Sequence, residues 1–236
     1  MTPYYEDDLV TLYHGDARDI LPCIATDAAD CVITDPPYGM SYVTNHRRAD
    51  DPLRSPVQGD EDLNALRDVM PQLDRVLANN RHAYLFAGST MLAPTLDTVS
   101  ATWTVKNTLI WDKGDAGSVG DLEAGYAVTW EAIIYASKGR RKLNGPRPRA
   151  IYRYDWTGTR DPVHPTVKPV GLLSWLMAKS TGPGELVIDP FAGSGTTLRS
   201  AKDLGRRAIG VELDERYCEI AVDRLRQESL DFGGAA

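Results

Sequence analysis

The sequence predicts an α/β fold built on a largely parallel sheet, and three observations carry that expectation. Strand-like and helix-like patterns alternate along the 236 residues. The strand-like runs are short and rich in Val, Ile and Leu, as when helices cover both faces of a sheet. One such run, 185–188, leads into Gly193-x-Gly195 and then a helical pattern, an arrangement that turns the chain tightly at a sheet edge.

The expected strands span 9–14, 30–34, 83–87, 104–111, 131–136, 186–188 and 208–211. The expected helices span 63–77, 91–100, 169–180, 196–204 and 215–227. The last helix places Tyr217, Ile220, Ala221 and Leu225 on one face, with charges opposite. Asp214 precedes it as an N-cap, and Pro169 suits the first turn of its own helix. Segments 39–59, 114–125 and 139–162 read as irregular, the last with Tyr152, Tyr154 and Trp156 among its basic residues. Residues 231–236 read as frayed. No repeat or linker divides the chain, so one domain over 1–236 is expected.

An apolar share of 42% and a charged share of 25% are ordinary for a soluble globular protein. No apolar stretch reaches the roughly 18 residues needed to span a bilayer, and the first residues lack the pattern of a secretion signal. Cys23, Cys31 and Cys218 are odd in number and widely spaced. They read as buried reduced thiols rather than a disulfide or metal set, so a cytoplasmic location and no metal are expected. The net charge of -7 argues against a general polyanion binder. Yet Lys138, Arg140, Arg141, Lys142, Arg147, Arg149 and Arg153 follow one another without an intervening acid, and Arg47, Arg48 and Arg54 form a second cluster. An acidic body with concentrated basic loops is compatible with docking one side onto phosphates; a solvated loop is the plainer alternative.

The turn Asp189-Pro190-Phe191-Ala192-Gly193-Ser194-Gly195-Thr196-Thr197 suits a nucleoside ligand. No Lys follows its glycines, so it is not a phosphate loop, and Leu198 stands where a dinucleotide site expects a third glycine. The Asp189 carboxylate would repel a pyrophosphate and favour a cation such as a sulfonium. Nineteen residues after Gly193, Glu212 ends the next strand, where an acid can accept from a ribose diol. Asp16 also lies past a strand end, either as an acceptor for an adenine amine or as a helix N-cap.

Asp35-Pro36-Pro37-Tyr38 ends the run 30–34. An aromatic amine is a weak nucleophile because its lone pair is delocalised into the ring. Acceptors that take its two hydrogens, the Asp35 carboxylate and the Pro36 carbonyl, would push nitrogen toward a tetrahedral shape. Paired prolines stiffen the turn and aim that carbonyl. Tyr38 offers a flat face on which an extruded base can stack.

These residues resemble the amino-directed DNA methyltransferases that use S-adenosylmethionine, in the branch whose catalytic motif precedes the cofactor motif. His164-Pro165-Thr166-Val167-Lys168-Pro169 is similar to that family's further cofactor motif. The resemblance implies a Rossmann-like methyltransferase fold: a seven-stranded, mostly parallel sheet with one antiparallel strand, helices on both faces and a permuted motif order. It implies catalytic roles for Asp35, Pro36, Pro37 and Tyr38. It implies S-adenosylmethionine contacts from Asp16, His164, Thr166, Lys168, Asp189, Phe191, Gly193, Ser194, Gly195, Thr196 and Glu212, with Lys168 a partner for the cofactor's carboxylate. The expected reaction is direct in-line methyl transfer to adenine N6 of a flipped base in double-stranded DNA. Cytosine N4 remains open, as do an RNA or protein-amide substrate and a silent DNA-binding regulator. Candidate DNA contacts are Arg47 and Arg48 in loop 39–59, and Lys138, Arg140, Arg141, Lys142, Arg147 and Arg149 in or beside loop 139–162. A homodimer and a cognate restriction endonuclease are further expected partners.

Overall fold

A computed structural model of the chain describes residues 1–37, 63–114, 123–154 and 168–227. In chain order the strands are β1 (Tyr5–Glu6), β2 (Val10–His14), β3 (Ala29–Thr34), β4 (Leu77–Ala87), β5 (Thr104–Asp112), β6 (Trp130–Lys138), β7 (Ile151–Arg153), β8 (Leu186–Asp189) and β9 (Arg207–Glu212). The helices are α1 (Ala17–Ile20), α2 (Asn64–Val76), α3 (Leu92–Ser100), α4 (Val170–Ser180), α5 (Thr196–Asp203) and α6 (Glu215–Arg226). A 3-10 turn, Leu21–Cys23, follows α1.

All the strands join one sheet in the order β1-β2-β9-β8-β3-β4-β6-β5-β7. Strands β2, β9, β8, β3 and β4 are parallel. Strand β6 runs against both its neighbours, after which β5 and β7 resume the common direction. The expectation of seven strands with one reversed describes the interior of this sheet. Among the described residues the count is nine because two short edge strands, β1 and β7, flank it. At two and three residues they are too short to show a period-two pattern, which is why the sequence hid them.

Alternate residues of each central strand serve different cores. Val32, Leu85, Ile134 and Ile188 face Leu66, Leu73, Val76, Val99 and Trp103 from the α2–α3 side. Ile33, Phe86, Ile133 and Val187 face Leu172, Leu176, Leu198 and Ala221 from α4, α5 and α6. Both strand faces are therefore dry, and the strands read as continuous apolar runs. Cys31 and Cys218 are buried free thiols as expected, whereas Cys23, at the end of the 3-10 turn, is exposed. Among the described residues no helix is long and apolar enough to cross a membrane.

Candidate active site

Four adjacent parallel strands each end in a carboxylate at the same sheet edge. In spatial order these are Asp16 after β2, Glu212 on β9, Asp189 on β8 and Asp35 after β3. Neighbouring strands are ~4.8 Å apart, so the row from Glu212 to Asp35 crosses two strand spacings, about 10 Å. One hydrogen bond ties the two sequence motifs together: Thr34 Oγ1 donates to Asp189 Oδ1 at 2.7 Å, across 155 residues of chain.

Asp189 is buried, and it also accepts from the Phe191 N–H at 3.1 Å and from Thr197. Burial pushes its carboxyl up to about 6, although these donors favour the charged form. Glu212 spans the glycine turn: Oε2 accepts from Gly193 N–H at 2.7 Å and Oε1 from Asp214 N–H at 2.8 Å. Desolvation pushes its carboxyl up to about 7 despite those two donors. Gly193 has φ +51° and a Cβ there would meet nothing, so the turn opens onto free space beside the Glu212 carboxylate. Gly195 has φ +77°, and a Cβ there would lie 2.7 Å from that of Ala221 on α6. That helix also braces the turn: Arg224 donates to Ser194 Oγ at 2.9 Å and to Thr196 Oγ1. Ser194 and Thr196, expected at the cofactor, thus meet an arginine of α6. No sequence pattern signals that brace, because it needs α6 to fold back on α5.

Asp16 caps α1, accepting from Arg18 N–H at 2.8 Å, and pairs with the Arg18 guanidinium at 2.6 Å. It stands beside Glu212 all the same, since Gly15 N–H donates to the Glu212 carbonyl. Asp35, Pro36 and Pro37 leave β3, the middle strand of the sheet, at the end of the carboxylate row. The Lys168 ammonium lies 2.7 Å from Asp35 Oδ2 and 2.7 Å from Glu131 Oε1. Two protein carboxylates therefore engage it. Lys113 reaches the other Glu131 oxygen, Oε2, at 2.8 Å. Glu131 and Lys113 escaped sequence reasoning. An acid heading an apolar strand carries no signal until the strand's direction is known.

Tyr38, Arg47, Arg48, His164 and Thr166 lie outside the described residues, as does loop 39–59. The basic run lies away from this edge. Strand β6 is reversed, so its last residue, Lys138, sits opposite Arg81 at the amino edge of the parallel strands, away from Asp35. There Lys138 donates to the carbonyls of Asp74 and Leu77, and Arg141 pairs with Glu185 just ahead of β8. Arg140 and Lys142 are exposed on the same edge. Arg147 and Arg149 line a groove on the α4 side with Tyr135, Trp175 and Lys179. None of these six meets the carboxylate row.

A Rossmann-like sheet with an Asp-Pro-Pro turn beside a glycine turn defines an amino-directed methyltransferase. A family model described as DNA methylase, covering both N6 and N4 enzymes, matches residues 29–223, and the chain belongs to this family. It is similar to the Type II methyltransferase M2.DpnII of Streptococcus pneumoniae, with 27% identity over 96% of this chain and 93% of that protein. It is also 27% identical to the DNA adenine methyltransferase YhdJ of Escherichia coli (strain K12), covering 94% of this chain and 84% of that one. The solved complex of M1.HpyAVI with SAM shares the fold, with TM-score 0.70 and 22% identity over 92% of this chain and all of that one.

Proposed function

We propose that the protein methylates adenine N6 in double-stranded DNA with S-adenosylmethionine as donor. The observation that carries this reading is the Thr34–Asp189 bond, which joins the amine-gripping turn to the nucleoside turn. The open space at Gly193 beside Glu212, with Asp189 buried next to it, suits a nucleoside bearing a sulfonium. When bound, S-adenosylmethionine supplies an electrophilic methyl carbon. Glu212 holds the ribose hydroxyls and Asp16 the adenine amine. The Asp35 carboxylate and the Pro36 carbonyl accept the target amine's hydrogens and turn its lone pair outward, with Tyr38 stacking on the base. Asp35 then takes the proton that the methylated nitrogen sheds and passes it to solvent. His164 and Thr166 belong with the cofactor in this reading.

An aspartate opening the catalytic turn supports adenine over cytosine, as does similarity to a relative named as an adenine methyltransferase. Similarity to a Type II enzyme supports a cognate restriction endonuclease as functional counterpart. A homodimer would widen the recognition surface of a chain with such short loops. A cytoplasmic location fits such a role.

Labelled S-adenosylmethionine and duplex DNA test the proposal, with mass spectrometry of the product nucleosides. N6-methyladenine is expected, and Asp35→Ala should lower transfer by ~10²–10⁴-fold while cofactor binding persists. N4-methylcytosine would correct the target base. Label only in RNA or protein would overturn the reading.

A further inference from the structure

Lys168 sits just ahead of α4, and its side chain is only 12% exposed. Its ammonium lies over the Phe86 ring of β4, 5.1 Å from the centroid, and so crosses one strand to join Asp35 after β3 to Glu131 on β6. Glu131 is 8% exposed at its side chain and is itself shared with Lys113. Charges therefore alternate in a row along the sheet edge: Asp35, Lys168, Glu131, Lys113. Such a row, dry in the middle and partly exposed at Asp35 and Lys113, adds little to stability, because desolvation of Lys168 and Glu131 offsets their attraction. It does fix geometry. An ammonium has three donors and no acceptor, and two of them are aimed here at carboxylates on different strands.

We propose that Lys168 is a positioning residue for methyl transfer: anchored from behind by Glu131 and Lys113, it sets the orientation of the Asp35 carboxylate that accepts the amine hydrogen. The inference rests on the reading of Asp35 given above. It assigns Lys168 to the target amine's side of the reaction, not to the cofactor's carboxylate. The two carboxylates outweigh the desolvation of Lys168, raising its affinity for the proton and keeping the ammonium charged. Removing that cation leaves Asp35 and Glu131 sharing one site, where one carboxylate raises the proton affinity of the other.

Lys168→Met, Lys168→Arg and Glu131→Gln test this through kcat, KM for DNA, cofactor Kd by calorimetry, and the pH profile. For Lys168→Met, kcat should fall ~10²-fold, the cost of a misplaced acceptor, with cofactor Kd unchanged. Its acid limb should move to higher pH, and Lys168→Arg should recover part of kcat. Glu131→Gln should lower kcat in the same direction, and it serves as the test if Lys168→Met fails to fold. A raised cofactor Kd with saturating kcat intact would make Lys168 a cofactor ligand and overturn the inference. So would an unchanged kcat, or a loss with neither a pH shift nor rescue by arginine. A wild-type protein that labels no DNA would instead overturn the methylation reading itself.

Discussion

Asp189 and Glu212 hold protons more tightly when folded, at about 6 and about 7, than their usual values of roughly 3.9 and 4.3. The ligand-free folded state therefore binds more protons than the unfolded chain between about pH 4 and 7, and stability falls as pH rises through that window. Urea midpoints of the ligand-free protein should be lower at pH 8 than at pH 5, and Asp189→Asn or Glu212→Gln should shrink the difference. A cationic sulfonium and donating ribose hydroxyls favour the charged carboxylates, so cofactor affinity should rise over the same window, with proton release visible as buffer-dependent binding heat. Gly195→Ala combines a left-handed φ with contact on Ala221 and should destabilise by about 1–3 kcal/mol in urea titrations. At this scale the sequence was informative. Asp35, Asp189 and Glu212 each followed an apolar run into a turn, a pattern visible without coordinates. The brace from Arg224 and the row behind Asp35 were not visible, because they join residues from distant segments.

At the scale of elements, the reversal of β6 decides where the charged residues at its two ends lie. Length and hydrophobicity located the strand, but nothing in a continuous apolar run encodes its direction. Reversal brings Glu131 to the reactive edge and sends Lys138 to the far one. A basic run that looked like a phosphate-binding loop is thereby divided between ion pairs at the sheet's amino edge and the α4 groove. Arg140→Ala with Lys142→Ala should accordingly leave DNA affinity and its salt slope unchanged. A slope reduced by about 1 or 2 would show that phosphates reach that edge.

For the whole molecule, the cofactor turn and the catalytic turn lie far apart in sequence yet on neighbouring strands, so donor binding should stabilise the entire sheet. Cofactor at 100 times its Kd adds ~2.7 kcal/mol, which for a chain of this size raises Tm by ~5–10 °C. The shift is read by calorimetry, and Glu212→Gln should reduce it. The sheet also joins early chain to late. Strand β2 lies beside β9, with Val10 opposite Ala208, and Tyr4 shares a shallow recess with Glu219, Val222, Asp223 and Arg226 of α6. Topologically the polypeptide is a ring with a single cut. Bridging Tyr4 to Arg226 by a short linker and recutting at the exposed Ala101–Thr102 bend would yield a circularly permuted protein whose glycine turn is translated before Asp35, with every strand keeping its neighbours. Which motif a ribosome makes first is thus set by where the ring is opened, not by the chemistry at its rim.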